Sequence, residues 1–167
     1  MGQYHGQVLL DAVRAFLEEL EWPYNELEEN VLVADFASGG LTWSCFAQTL
    51  EDDEQFLFYS VPDVEVPPPR RLAVAEYLTR ANFGLRIGNW EMDLDSGSIQ
   101  FRTSVDVEGC GLPRGMIRQL VFANLAITER YLPGVFAVMD GGDDPAAAIG
   151  RIEASEAPTG AGGAGDA

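Results

Sequence analysis

The stretch from Asn82 to Gly109, NFGLRIGNWEMDLDSGSIQFRTSVDVEG, limits the possible folds more than any other part of the chain. It reads as two strands joined at Ser96-Gly97, the short polar-glycine turn that closes hairpins. With those two residues in the turn, Leu94 faces Ile99, Met92 faces Phe101 and Trp90 faces Thr103. The alternate set pairs Asp93 with Gln100, Glu91 with Arg102 and Asn89 with Ser104. One face is apolar and the other polar, the pattern of an antiparallel pair that is wet on one side.

Three further strands precede the hairpin: Asn30–Ala37, Leu41–Leu50 and Gln55–Val61. Ser38-Gly39-Gly40 makes the first turn between them and Glu51-Asp52-Asp53-Glu54 the second. A turn centred on Gly39-Gly40 sets Phe36 opposite Trp43, on a face that also takes Cys45, Ala47, Phe56 and Phe58. The opposite face holds Val33, Phe46, Leu57, Tyr59 and Val61. Both faces are more apolar than one buried side requires. Either both are covered within one chain, or one is covered by another chain.

Helices flank these strands. Leu9, Val13, Phe16, Leu17 and Leu20 mark one helical face in residues 6–21, and Trp22-Pro23 ends it. Pro62 to Pro69 reads as a stiff extended connector. A helix over about Arg70 to Ala81 follows, burying Leu72, Val74, Tyr77, Leu78 and Ala81. After Pro113 a helix apolar on most sides runs to about Tyr131, Pro133 breaks it, and residues 135–139 make one further short turn. The order is α-βββ-α-ββ-α: an α+β domain with helices packed on an antiparallel sheet over residues 1–142. Residues 143–167 are rich in Ala, Gly and acid. They read as a disordered tail with a helical stub at Pro145–Ile152, because they offer too little apolar surface to offset chain entropy.

Charge and composition narrow the function. The net charge is −17, from 27 acidic and 10 basic residues, and all ten basic residues are Arg. Such a chain repels phosphate backbones and anionic bilayers, which argues against nucleic-acid and membrane partners. Abundant Ala, Gly and Arg without Lys fits either a GC-rich genome or adaptation to high salt. No apolar run approaches the roughly 20 residues that span a bilayer, and no signal sequence is evident, so a cytoplasmic protein is expected.

Known chemistries each lack a part. His5 is the only histidine, which excludes HExxH and Cys/His zinc sets, so neither metal nor cofactor is expected. Asp93-x-Asp95-x-Gly97 echoes the start of a calcium loop but lacks its later ligands and falls on a turn. Gly109-Cys110-Gly111-Leu112-Pro113-Arg114-Gly115 has GxGxxxG spacing rather than a dinucleotide fingerprint, and reads better as a loop-to-helix cap. There is no GxSxG, and neither Cys45 nor Cys110 has a basic neighbour pattern. Cys45 reads as a small buried thiol. Glu91 and Arg102 are the candidates for a polar site on the hairpin, with a cross-strand ion pair as the simpler account. With no catalytic set and apolar surface in surplus, the chain reads as a binding protein rather than an enzyme. Candidate contacts are Phe46, Leu57 and Tyr59 on one sheet face, or Trp43 and Phe58 on the other.

The run from Arg80 to Gly109, followed by IRQLVFANLAITERYLPGVFAVM, resembles the YbjN family, labelled bacterial sensory transduction regulators. The matching elements are Asn82 and Gly84, Gly88-Asn89-Trp90-Glu91, Phe101-Arg102, Asp106, Asn124 and Tyr131-Leu132-Pro133. The match is strongest from Arg80 to Met139. The resemblance implies a fold similar to type III secretion chaperones: small, acidic, dimeric α+β proteins that hold client polypeptides on apolar surface. The expected function is therefore a homodimeric, non-enzymatic module, chaperone-like or regulatory, with a protein client or regulatory partner. A small-ligand or enzymatic domain using the polar hairpin face is the alternative.

Overall fold

The computed structural model describes residues 7–155. Helix α1 (Val8–Glu19) comes first, then strands β1 (Asn25–Glu28), β2 (Val31–Ser38), β3 (Leu41–Leu50) and β4 (Gln55–Val61). Helix α2 (Arg71–Gly84), strands β5 (Asn89–Met92) and β6 (Ile99–Asp106), and helices α3 (Arg114–Met139) and α4 (Pro145–Ala154) follow. The strands form one antiparallel sheet in the order β1-β2-β3-β4-β6-β5. This is the α+β architecture expected, with one strand more. Strand β1 (NELE) is exposed throughout and has no alternating apolar signal; it pairs because the edge of β2 is there to receive it.

The glycine turn sets Phe36 opposite Trp43, as expected, so Leu32, Trp43, Cys45, Ala47, Phe56, Phe58 and Phe101 share one face. Helices α1 and α3 cover that face, contributing Leu10, Val13, Phe16, Ile117, Val121 and Leu125 to the core. Near its N-terminus α1 has no cap of its own; the Glu51 carboxylate accepts hydrogen bonds from the N–H groups of Leu9 (3.1 Å) and Leu10 (2.9 Å). That contact places a negative charge where the helix dipole favours it and anchors α1 to the end of β3.

The hairpin register differs from the expected one by two residues. Met92 pairs with Ile99, Trp90 with Phe101, Glu91 with Gln100 and Asn89 with Arg102. The cause lies in Asp93, whose carboxylate accepts from the Asp95 N–H (2.9 Å) and the Ser96 hydroxyl (2.8 Å). This folds four residues into the turn instead of two. A shift of two leaves every side chain on its expected face. Arg71 then ties the loop to the connector, donating to the carbonyls of Leu94, Asp95, Ser96 and Val66. Gly97 has φ +86°, and a Cβ there would stand 2.3 Å from the Val66 carbonyl oxygen, so only glycine fits.

Two further departures concern the C-terminal half. Pro133 does not break α3: the helix continues to Met139. Proline removes one helical hydrogen bond, but Tyr131 and Leu132 before it and Val135 and Val138 after it are all buried, and this packing outweighs the local loss. The segment after Asp143 is not wholly a tail. Asp144 caps α4 by accepting from Ala147 N–H (3.0 Å), and Pro145, Ala148 and Ile149 are buried against α2 and α3. The expected stub at Pro145–Ile152 thus forms a packed helix, and residues 156–167 of the expected tail lie outside the described residues. Among the described residues no helix is long and apolar enough to cross a membrane.

Candidate protein-binding face

Among the described residues, no helix lies on the other side of the sheet. Its layout follows from register alone. One row across the strands reads Glu28, Val31, Gln48, Leu57, Ser104; the next reads Asn25, Val33, Phe46, Tyr59, Arg102, Asn89; a third reads Asp35, Ser44, Val61, Gln100, Glu91. Val31, Val33, Phe46, Leu57, Tyr59 and Val61 therefore form a contiguous apolar centre on β2, β3 and β4. Val31 is 8% exposed and the others are half-buried by one another. A shallow hollow of about 500 Å³ lies over this centre, lined by Glu28, Val31, Phe46, Gln48, Tyr59, Val61 and Gln100.

The sequence candidates divide between the two faces. Phe46, Leu57 and Tyr59 lie on the open one. Trp43 and Phe58 lie beneath the helices at 3% and 2% exposure, and the Trp43 indole donates to Ser60 Oγ at 2.9 Å. Those two side chains do not reach the surface. Glu91 and Arg102 sit on the open face as well, joined by an ion pair of 2.8 Å, with Gln100 Nε2 also donating to Glu91 at 2.8 Å. The two sets separated in the sequence, apolar strand face and polar hairpin face, are thus neighbours on one surface. The pairing of β4 with β6 joins them, and no local signal in the chain announces that pairing.

A convergent polar pocket does not form at the hairpin. The Asp93 carboxylate is turned into its own loop; the Asp95 N–H, and then the Ser96 hydroxyl, hold it below the usual carboxylate range. At the other end of the sheet a hollow of about 490 Å³ is lined by Glu51, Asp52, Asp53, Glu54, Gln55, Asp106 and Glu108. Three of these acids serve the backbone: Glu51 caps α1, Glu54 accepts from Gly109 N–H (2.7 Å) and Asp106 accepts from Glu108 N–H (3.0 Å). The last bond, with Gln55 Nε2 second, holds the Asp106 carboxyl below its ordinary range. No group of three or more potential metal ligands occurs among the described residues. Cys45 and Cys110 are both free; burial pushes the Cys45 thiol up to about 12. His5 lies outside the described residues.

Sequence reasoning missed Glu28, because β1 was not expected, and Gln48 and Gln100, which lie between apolar neighbours on their strands and stand out only once the rows are assembled.

Comparison with known proteins agrees with this architecture. A family model described as "Putative bacterial sensory transduction regulator", YbjN, matches residues 9–137. The crystal structure of YbjN from E. coli, described there as a putative transcription regulator, superposes with a TM-score of 0.54 at 19% identity, covering 71% of this chain and 84% of that one. Two complexes are also similar at lower scores. ExoT-SpcS from Pseudomonas aeruginosa gives 0.47 at 14% identity, covering 77% of this chain and 97% of that one. The HopA1-SchA chaperone-effector complex gives 0.45 at 15%, covering 73% and 88%. No curated protein matches the chain.

Proposed function

The chain belongs to the YbjN family, and we propose that it is a non-enzymatic protein-binding module, chaperone-like or regulatory, that holds a partner polypeptide on the open face of its sheet. One observation carries this reading. Among the described residues, helices cover a six-stranded sheet on one side only, and the other side presents six contiguous apolar residues on three adjacent strands. Apolar patches of this kind on a sheet face favour a protein partner over water. The net charge of −17 disfavours nucleic acid and anionic membranes as partners. The reading takes the protein as cytoplasmic and without a cofactor.

Homodimerisation belongs to the same proposal and uses a different surface. Leu72, expected in the core but facing outward with the opposite side of α2 packed, and Phe83 lie three turns apart on one side of the helix, 80% and 96% exposed, with Ile87 beyond the helix end at 45%. These side chains contribute nothing to the core, and a second chain would cover them.

The open face is tested with a permanently unfolded cationic probe, reduced and carboxamidomethylated ribonuclease A carrying a fluorophore, and the dimer by light scattering. Wild-type protein is expected to raise the probe's anisotropy, and Phe46→Asp to weaken binding at least about tenfold, as expected for a charge set into an apolar contact. Phe83→Asp is expected to halve the mass seen by light scattering. Full binding by folded Phe46→Asp would overturn the open-face reading. An unchanged mass for Phe83→Asp, or a monomeric wild type, would overturn the dimer.

A further inference from the structure

Building on the open-face reading, we infer that the partner segment is a cationic amphipathic helix, with an apolar stripe for the sheet and Lys or Arg on both flanks. The inference comes from where the charges of that face stand. Glu28 lies outside the apolar centre on β1, Asp35 beyond Val33 on β2, Asp106 on β6 and Glu91 on β5. Four carboxylates thus surround the apolar rows. Among the described residues the only cation on the strands of this face is Arg102, and its guanidinium is paired with Glu91 at 2.8 Å. Among the described residues, no cation pairs with Glu28, Asp35 or Asp106. Asp35 accepts only from the Ser44 hydroxyl (3.1 Å), and Asp106 from Gln55 and a backbone amide.

The dimensions favour a helix. Three strands at about 4.8 Å spacing make an apolar strip about 10 Å across, the width of one α-helix with its side chains. The same sheet already receives α1 and α3 on its other side. A helix seated on β2, β3 and β4 would set its flanks over Glu28 on one side and Asp106 on the other. Cations there meet uncompensated carboxylates, whereas acids would be repelled. A second copy of this face is the wrong occupant for the same reason, since each would bring its unpaired acids against the other's. The tyrosine hydroxyl of Tyr59 and the amide of Gln48 remain among the apolar residues to meet polar atoms of a partner.

The test uses the full chain and two synthetic peptides of about 18 residues, long enough for a stable amphipathic stripe. Both carry leucine along one helical face; one has lysines on its flanks and the other glutamates. The lysine peptide is expected to bind, with affinity falling as salt rises from about 0.05 to about 0.5 M. The glutamate peptide is expected to show no binding. The triple variant Glu28→Gln, Asp35→Asn, Asp106→Asn, checked for folding by circular dichroism, should lose about tenfold in affinity for the lysine peptide and most of its salt dependence. Phe46→Asp should abolish binding. Equal binding of both peptides, sensitive to Phe46→Asp, would overturn the charge inference and leave the open-face reading standing. Binding of the lysine peptide untouched by Phe46→Asp would overturn both. A scrambled lysine peptide that binds as well as the amphipathic one would overturn the helical occupant.

Discussion

Asn82 directs its whole side-chain amide at one residue of β5: Nδ2 donates to the Trp90 carbonyl (3.0 Å), and Oδ1 accepts from the Trp90 N–H (2.7 Å). Those two backbone groups point away from β6, where a seventh strand would otherwise bond. The side chain therefore closes an edge that could recruit foreign strands. Asn124 does comparable work in the core, its amide donating to the carbonyls of Phe58 (2.9 Å) and Phe101 (3.1 Å) and so fastening α3 to β4 and β6. Both asparagines were visible in the sequence as elements of the family resemblance. Their roles were not, because each bonds to backbone that only the tertiary fold brings near. Asn82→Ala is expected to leave a part-buried N–H and C=O unpaired and to cost about 1–3 kcal/mol in urea unfolding. A loss below about 0.5 kcal/mol would contradict the edge-closing role.

At the scale of elements, local patterns did well where they are strong and failed where packing overrides them. The apolar spacing of α1 and the glycine turn between β2 and β3 placed both elements, since each depends on neighbours in sequence. The proline rule misplaced the end of α3, because buried side chains on both sides of Pro133 hold the helix together. Gly134 marks how tight that packing is: a Cβ there would stand 2.1 Å from the Tyr77 hydroxyl, which donates to the Tyr131 carbonyl. Composition understated α4 in the same way, since Ala148 and Ile149 are enough to pack a short helix onto two others. A chain ending at Gly142 should lose the burial of Pro145, Ala148 and Ile149, with Ile149 alone contributing about 1.5–3 kcal/mol. Its Tm is expected to fall by roughly 4–10 °C for a domain of this size. An unchanged Tm would show that α4 adds nothing to the fold.

For the molecule as a whole, the sequence disclosed a surplus of apolar strand side chains but not which side of the sheet would keep them exposed. Covering is decided by where α1 and α3 lie and by the insertion of β6 between β4 and β5, both long-range outcomes. Once those are in place, Trp43 and Phe58 become core, while Phe46, Leu57 and Tyr59 become surface, flanked by Glu91 and Arg102. The central claim is that this open face receives a polypeptide. It is tested most directly by placing the photo-crosslinking residue benzoylphenylalanine at Phe46, or at Phe122 on the helical side, and irradiating with the unfolded ribonuclease probe. The account predicts a crosslinked product from position 46 and little from position 122. Crosslinks from 122 with none from 46 would put the partner on the helices and contradict it.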